Sequence, residues 1–438
     1  MKKNNFSGSI WPAITLLLPA LPLQLYFAGN WYSFWHSYSL GMACGIVAYI
    51  WFCLTLILAG RIRYFDRVYG HDRVLIFHGY LARAAIGFAL AHFVFKYMFH
   101  SEFTIQSSIG LAALLLFGMV AALTVLFMVD GILSQKRALQ KSQKLKRFWD
   151  YSRLKCVHNL TAAAFACTVV HILIASSTAE TNIRMQAMGG MGVFSLGVYC
   201  YHKIIRGWQN NRAGTTVSAV SQPDHTVMRL QLNKLPAKLV HSRAGQFCYF
   251  RFISAKCGKE EHPFTLSSPV VNQQSDLLIK AVGDYTQKLS EIEPGTRVHC
   301  DGPYGHFTPE PNIVPLLFIA GGIGITPFMA IVSSWNTIHL QKPVTLIWST
   351  ATENDMIQRA VFDTFAEKNT LFTFVPVVTR PAGASPCAGR INKKLLGSHY
   401  TKEMHVYLCA SARLRKAVMA ILRELGTPER MVYRERFG

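Results

Sequence analysis

The chain has 438 residues, room for two or three domains, with 51% hydrophobic residues and a formal charge of +22 at pH 7. The positive charge gathers in short segments between apolar runs, with no aromatic-basic pattern beside it, which argues for a membrane partner and against nucleic acid. Ten scattered cysteines form no C-x-x-C zinc pair and no C-x-x-C-H attachment motif, so they read as free thiols in a reducing compartment.

Met1-Lys2-Lys3 lead into an apolar run from about Ile10 to Ala28. A signal peptide begins this way, but no small-residue cleavage site follows, so the run is read as an uncleaved first helix. Six spans are predicted, at 10–29, 39–60, 74–98, 107–129, 155–176 and 187–205, each near the ~20 residues a crossing needs. Segment 61–73 carries Arg61, Arg63, Arg67 and Arg73, segment 131–155 is rich in Lys and Arg, and Lys203, Arg206 and Arg212 follow the last span. The opposite loops are nearly free of basic residues, with Arg184 the exception. By the positive-inside rule both termini and the soluble half are cytoplasmic. The compact build suggests a multi-pass protein of a bacterial cytoplasmic (inner) membrane.

His78 and His92 fall in the third span, His158 and His171 in the fifth, at spacings of 14 and 13. Ionisable groups at membrane depth are costly and mark functional sites, and imidazole is a ligand of haem iron. Two helices carrying two histidines each suit two bis-histidine haems, the inner held by His78 and His158, the outer by His92 and His171. At ~100° per residue a step of 14 nearly keeps a helix face and a step of 13 turns well away from it, so the fifth span needs a local change of winding or a tilt of the helix. His36, His71, His100 and His202 read as wetted membrane-edge residues, and Lys96, one turn past His92, as a side chain reaching for the interface.

Beyond residue 208 the pattern is that of a soluble protein. Met228–Leu232 alternates and Gly245–Phe250 reads as a strand, so 209–310 is taken as a small antiparallel β-barrel. Leu316–Ala320 is a buried-strand run entering Gly321-Gly322-Ile323-Gly324-Ile325-Thr326-Pro327. Strand, glycine turn and helix start make an anion site suited to a dinucleotide. Strand candidates at Val344–Ser349, Phe372–Thr379 and His405–Cys409 make 311–438 a parallel α/β domain. Arg380, just past one strand, reads either as a partner for a 2′-phosphate, favouring NADPH over NADH, or as a solvent-exposed loop arginine.

His262-Pro263-Phe264-Thr265, Gly283-Asp284-Tyr285-Thr286, Gly302-Pro303-Tyr304-Gly305 and the glycine turn stand in order behind the paired histidines. The chain resembles the ferric reductase and NADPH oxidase superfamily over nearly its whole length, and its second half is similar to ferredoxin–NADP reductases. The resemblance implies a six-helix transmembrane haem-binding bundle (1–208), an antiparallel β-barrel FAD domain and a parallel α/β NAD(P)H domain. It implies that His262, Pro263, Phe264, Thr265 and Ser267 lie along FAD, and that Gly283 and Thr286 meet its pyrophosphate. Gly321, Gly322, Gly324 and Thr326 would receive NADPH or NADH. Cys409 would stand beside the nicotinamide, although Cys409-Ala410-Ser411 departs from the family's Cys-Gly-Pro, and Phe437 would cover the flavin until nicotinamide displaces it. The expected activity is electron transfer from NAD(P)H through FAD and two b-type haems to an external ferric chelate or oxygen, or delivery to a periplasmic protein partner.

Overall fold

The computed structural model describes residues 7–27, 33, 35–99, 104–128, 151–211, 214–255, 257, 260–383 and 387–436. The chain forms two compact units, Met1–Gly207 and Trp208–Gly438.

The first unit is helical: α1 (Ser7–Leu17), α2 (Ala20–Phe27), α3 (Ser37–Ala59), α4 (His71–Phe99), α5 (Ile105–Met128), α6 (Tyr151–His158), α7 (Leu160–Leu173) and α8 (Asn182–Cys200) are its main elements. Among the described residues four helical stretches are long and apolar enough to cross a membrane: Ser37–Ala59, Arg73–Tyr97, Ile105–Thr124 and Arg153–Leu173. They are the second to fifth of the six expected spans. The first is interrupted between α1 and α2 at Leu18-Pro19, where proline supplies no N–H and crowds the preceding turn. The sixth, α8, carries Arg184, Gln186 and four glycines, which lower its apolar content. Helix α3 is the central one, burying Ile46, Tyr49, Ile50, Phe52 and Cys53. Around it Leu75, Leu90, Val94, Leu115 and Met119 point outward. Helical backbone satisfied within itself and an apolar outer surface are what a hydrocarbon solvent demands.

The chain tightens between α6 and α7. The Asn159 N–H is shared between the carbonyls of Lys155 (3.2 Å) and Cys156 (3.1 Å), and Ala162 N–H returns to Asn159 O at 3.1 Å. Such three-residue turns wind faster than an α-helix. This tightening adds rotation in the sense that the step of 13 between His158 and His171 calls for, about 20° per residue over one turn.

The second unit opens with six strands in two antiparallel sheets. In one, β1 (Thr216–Asp224), β2 (Val227–Asn233) and β5 (Ser275–Lys280) lie in the order β1-β2-β5. In the other, β3 (Phe247–Phe252), β4 (His262–Thr265) and β6 (Val298–Tyr304) lie in the order β4-β3-β6. Leu230 and Leu277 from the first sheet and Phe250 and Cys300 from the second share one core, and Thr216 bridges Arg297. A short helix α9 (Asp284–Lys288) follows β5.

Next comes a parallel sheet of β7 (Leu316–Gly321), β8 (Val344–Thr350), β9 (Phe372–Val378), β10 (His405–Ala410) and β11 (Val432–Arg436), in the order β11-β10-β7-β8-β9. Strands β7, β8 and β10 are buried almost throughout, as strands covered on both faces are. Helices α10 (Thr326–Ser334) and α11 (Ala412–Glu424) leave β7 and β10. The chain steps outward from β7 through β8 to β9, then returns to the other side of β7. That reversal opens a crevice at the carboxyl ends of β7 and β10, where ligands of open α/β sheets bind.

Candidate redox centres

The four membrane histidines meet in two pairs. Ring centres of His78 and His158 are 6.4 Å apart and those of His92 and His171 are 6.2 Å apart. A metal–imidazole bond of about 2 Å, plus about 1 Å from that nitrogen to the ring centre, sets two rings across one iron about 6 Å apart. Each pair therefore has the spacing for one iron.

Second partners orient the rings. His92 Nδ1 donates to Gly41 O at 2.7 Å, His171 Nδ1 to Gln106 O at 2.8 Å, and His78 Nδ1 to Thr55 O at 3.0 Å. A carbonyl only accepts, so these Nδ1 atoms carry the proton and Nε2 keeps the lone pair that binds a metal. Two glycines make room. A Cβ on Gly45 would lie 2.8 Å from His92 Nδ1, and one on Gly110 2.7 Å from His171 Cε1. Between them lies a cavity of about 350 Å³ bordered by His92, Lys96, Phe117 and His171. Phe52 and Phe117 stack at 4.2 Å on the same cavity wall. Neither glycine was singled out from sequence, because small residues are ordinary in membrane helices. Lys96, expected simply to reach for the interface, lies over the Tyr38 ring at 3.5 Å and lines this cavity. Of the edge histidines, His71 is buried, contrary to expectation, while His36 accepts from Tyr38 N–H at the start of α3. His100 lies outside the described residues.

In the sheet domain, strand alternation divides the His-Pro-Phe-Thr segment between two faces. His262 stacks on Tyr285 at 3.7 Å and hydrogen-bonds Glu260 through Nε2 at 2.9 Å, while Phe264 packs near Phe250. Both lie on the side of the core that the two sheets share. Pro263 and Thr265 stand opposite Tyr249 and Phe247, whose rings cluster with Tyr304. Pro263 is exposed and Thr265 buried. The segment thus presents His262 and Phe264 on one face and Pro263 and Thr265, beside Tyr249 and Tyr304, on the other. Ser267 donates its hydroxyl to Asp276 O at 3.0 Å. Thr286 accepts from the N–H groups of Val282 (3.1 Å) and Gly283 (2.9 Å) and donates to Gly283 O, so its hydroxyl is engaged within its own turn.

At the crevice between β7 and β10 the glycines do different things. A Cβ on Gly321 would meet Leu414 Cδ2 at 2.7 Å and Ala410 Cβ at 3.0 Å, and one on Gly324 would collide with the Cys409 carbonyl. These two allow β10 to end against the turn. Gly322, with φ +55°, faces open space and leaves the backbone accessible. Thr326 begins α10 and is buried. Cys409 is fully buried, and burial, then the Glu435 carboxylate, push its thiol well above the usual range. Glu435, passed over in the sequence, is paired with Cys409 across β10 and β11, and its Oε1 lies near Gly305. It thus lies between Cys409 and the turn after β6, and only the strand register reveals it. Arg380 is exposed past β9. Phe437 lies outside the described residues, one position beyond β11.

Three family models match in succession: ferric reductase like transmembrane component over residues 44–169, FAD-binding domain over 212–308, and oxidoreductase NAD-binding domain over 318–419. Among curated proteins, ferredoxin–NADP reductase B of Sorangium cellulosum is 24% identical over 226 residues, 48% of this chain and 91% of its own length. NADH-cytochrome b5 reductase 1 of Mortierella alpina is 28% identical over 150 residues, 33% of this chain and 50% of its own. Human NADPH oxidase 4 is 29% identical over 177 residues, 35% of this chain and 30% of its own. The match thus spans half or less of the last two relatives. The chain thus carries a ferric reductase-like transmembrane component ahead of FAD- and NAD-binding domains, the build of an NAD(P)H-dependent FAD oxidoreductase of the ferric reductase/NADPH oxidase type.

Proposed function

We propose that the chain conducts electrons across a bacterial cytoplasmic membrane, from NAD(P)H on the inner side to an acceptor outside. Two b-type haems are assigned to it, one at His78 and His158 and one at His92 and His171. The carrying observation is a double coincidence: both pairs have ring spacing suited to one iron, and three of the four rings, His78, His92 and His171, have Nδ1 hydrogen bonds that leave Nε2 for a metal. Bound FAD and haem supply the passage from a hydride's electron pair to single electrons and their path through the bilayer.

The residues have distinct tasks. Gly41, Thr55 and Gln106 hold three rings in one tautomer through their carbonyls. Gly45 and Gly110 admit the His92 and His171 rings, and the aromatic pair Phe52 and Phe117 excludes water from the bundle interior. In the soluble half Thr265 and Pro263, with Tyr249 and Tyr304, offer a face to the flavin ring, and the start of α9 meets its pyrophosphate through Gly283 and Thr286. Gly322 and the first turn of α10 take the nicotinamide dinucleotide, with Cys409 and Glu435 bordering the nicotinamide, Arg380 reaching a 2′-phosphate and Phe437 covering the flavin. Helices α1–α2 and α8 complete six crossings, and the basic segments at 61–73 and 203–212 hold both termini on the cytoplasmic side.

A ferric chelate and oxygen are the two acceptors proposed, following the ferric reductase transmembrane model and the NADPH oxidase relative. Purified His92→Leu should carry one haem where the wild type carries two. A variant that keeps both would overturn the ligand assignment. Scoring superoxide against ferrous iron in NAD(P)H-fed vesicles decides the acceptor.

A further inference from the structure

The membrane unit contains a repeat with one flaw. Gly41, Gly45, Phe52 and Thr55 on α3 correspond to Gln106, Gly110, Phe117 and Val120 on α5, each pair separated by 65 positions. The correspondence is structural as well as numerical. The carbonyls of Gly41 and Gln106 accept from His92 and His171, Gly45 and Gly110 face those same rings, and Phe52 stacks on Phe117. Thr55 O accepts from His78, so the repeat assigns Val120 O to His158. That bond is not made. The Thr124 hydroxyl donates to Val120 O at 2.8 Å, and His158 Nδ1 meets Thr124 Oγ1 at 3.4 Å.

The displacement has a local cause. His158 and His171 are 13 residues apart where His78 and His92 are 14 apart, and the missing residue is taken up in the tight turn at Asn159, directly after His158. We infer that Thr124 is a positioning residue that bridges the gap, relaying His158 Nδ1–H to the Val120 carbonyl and thereby fixing the tautomer of one ligand of the inner pair. The inference rests on the bis-histidine reading above. A hydroxyl already donating to a carbonyl is polarised and accepts a proton better than an isolated one. Even so, a contact of 3.4 Å is the longest of the four, so His158 is the least polarised ligand. A histidine whose Nδ1–H is strongly bonded is a more basic, more electron-donating ligand. Thr124 therefore keeps the inner pair from losing that donation altogether.

Thr124→Val preserves volume, so the ring cannot slide toward Val120, but removes the acceptor. Haem release to apomyoglobin and redox titration of the full-length protein, followed optically, provide readouts independent of turnover. The expected result is about tenfold weaker retention of one haem, with the midpoint of that haem moved positive and the other unchanged. Thr124→Ser should behave as wild type, and Thr124→Cys, with a poorer acceptor, should shift the same midpoint the same way by less. His158→Leu separates the two levels of the argument. If it removes one haem while Thr124→Val and Thr124→Cys leave retention and both midpoints unchanged, the relay is refuted. If His158→Leu keeps both haems, the ligand reading itself fails.

Discussion

Gly110→Ala places one methyl against the outer histidine pair. An added Cβ would stand 2.7 Å from His171 Cε1 and 2.8 Å from its Nδ1, where ordinary contact begins near 3.4 Å. The ring or α5 must yield by about 0.7 Å, and His171 cannot turn freely because its Nδ1 is held by Gln106 O at 2.8 Å. Overpacking of this kind costs about 1–3 kcal/mol. Charged against the haem-binding form, that is about 5- to 150-fold in affinity for the outer haem. Gly118→Ala on the same helix is the matched control, since a Cβ there meets nothing within 4 Å. The assay is haem per chain by pyridine haemochrome, with low-temperature spectra separating the two centres. The outer haem should be depleted in Gly110→Ala and retained in Gly118→Ala. Equal haem content and unchanged spectra in both would refute the placement of the outer haem between these helices.

Residues from about 210 onward should reduce a soluble dye with added FAD and NAD(P)H, because they form a compact unit with both nucleotide domains; a folded, FAD-binding but inactive fragment would misplace electron entry. In that fragment burial and the Arg251 guanidinium bring His299 down to about 4 from 6.5. Between those values the unfolded chain binds the proton and the folded one does not, so this stabilisation is complete above pH 6.5 and lost as pH falls toward 4. His299→Gln should flatten that part of the urea-midpoint profile, and an unaltered slope would count against it. Phe437→Ser should change the NADPH and NADH Michaelis constants several-fold, since an aromatic stack contributes ~0.5–1.5 kcal/mol; unchanged constants and ratio would leave Phe437 without a role over the flavin.

The histidine pairs were legible because an ionisable residue in an apolar run stands out whatever its neighbours. Their hydrogen-bond partners were not, because Gly41, Thr55 and Gln106 act through backbone carbonyls that any residue supplies. The spacing of 13 called for a change of winding or a tilt without saying which or where: Asn159 is no strong breaker, and the tight turn there shows only in its shared N–H. Of the six apolar runs counted, four match helices long and apolar enough to cross a membrane among the described residues; Pro19 interrupts the first run, and polar residues and glycines set α8 apart. The nucleotide turn was readable as strand, glycines and helix, yet Gly321 and Gly324 owe their identity to the close end of β10, a non-local contact. The resemblance set His262, Pro263, Phe264 and Thr265 along FAD together, and their division between two faces came with strand β4, as Glu435 came with the pairing of β11 and β10.

Transfer through the bilayer is tested most directly in sealed proteoliposomes with a membrane-impermeant acceptor trapped inside and NAD(P)H added outside. Wild-type protein inserted with its soluble half outward should reduce the trapped acceptor, and His92→Leu should not, while both still reduce an impermeant dye added outside. Reduction of the outside dye by the wild type with no reduction of the trapped acceptor would contradict the account.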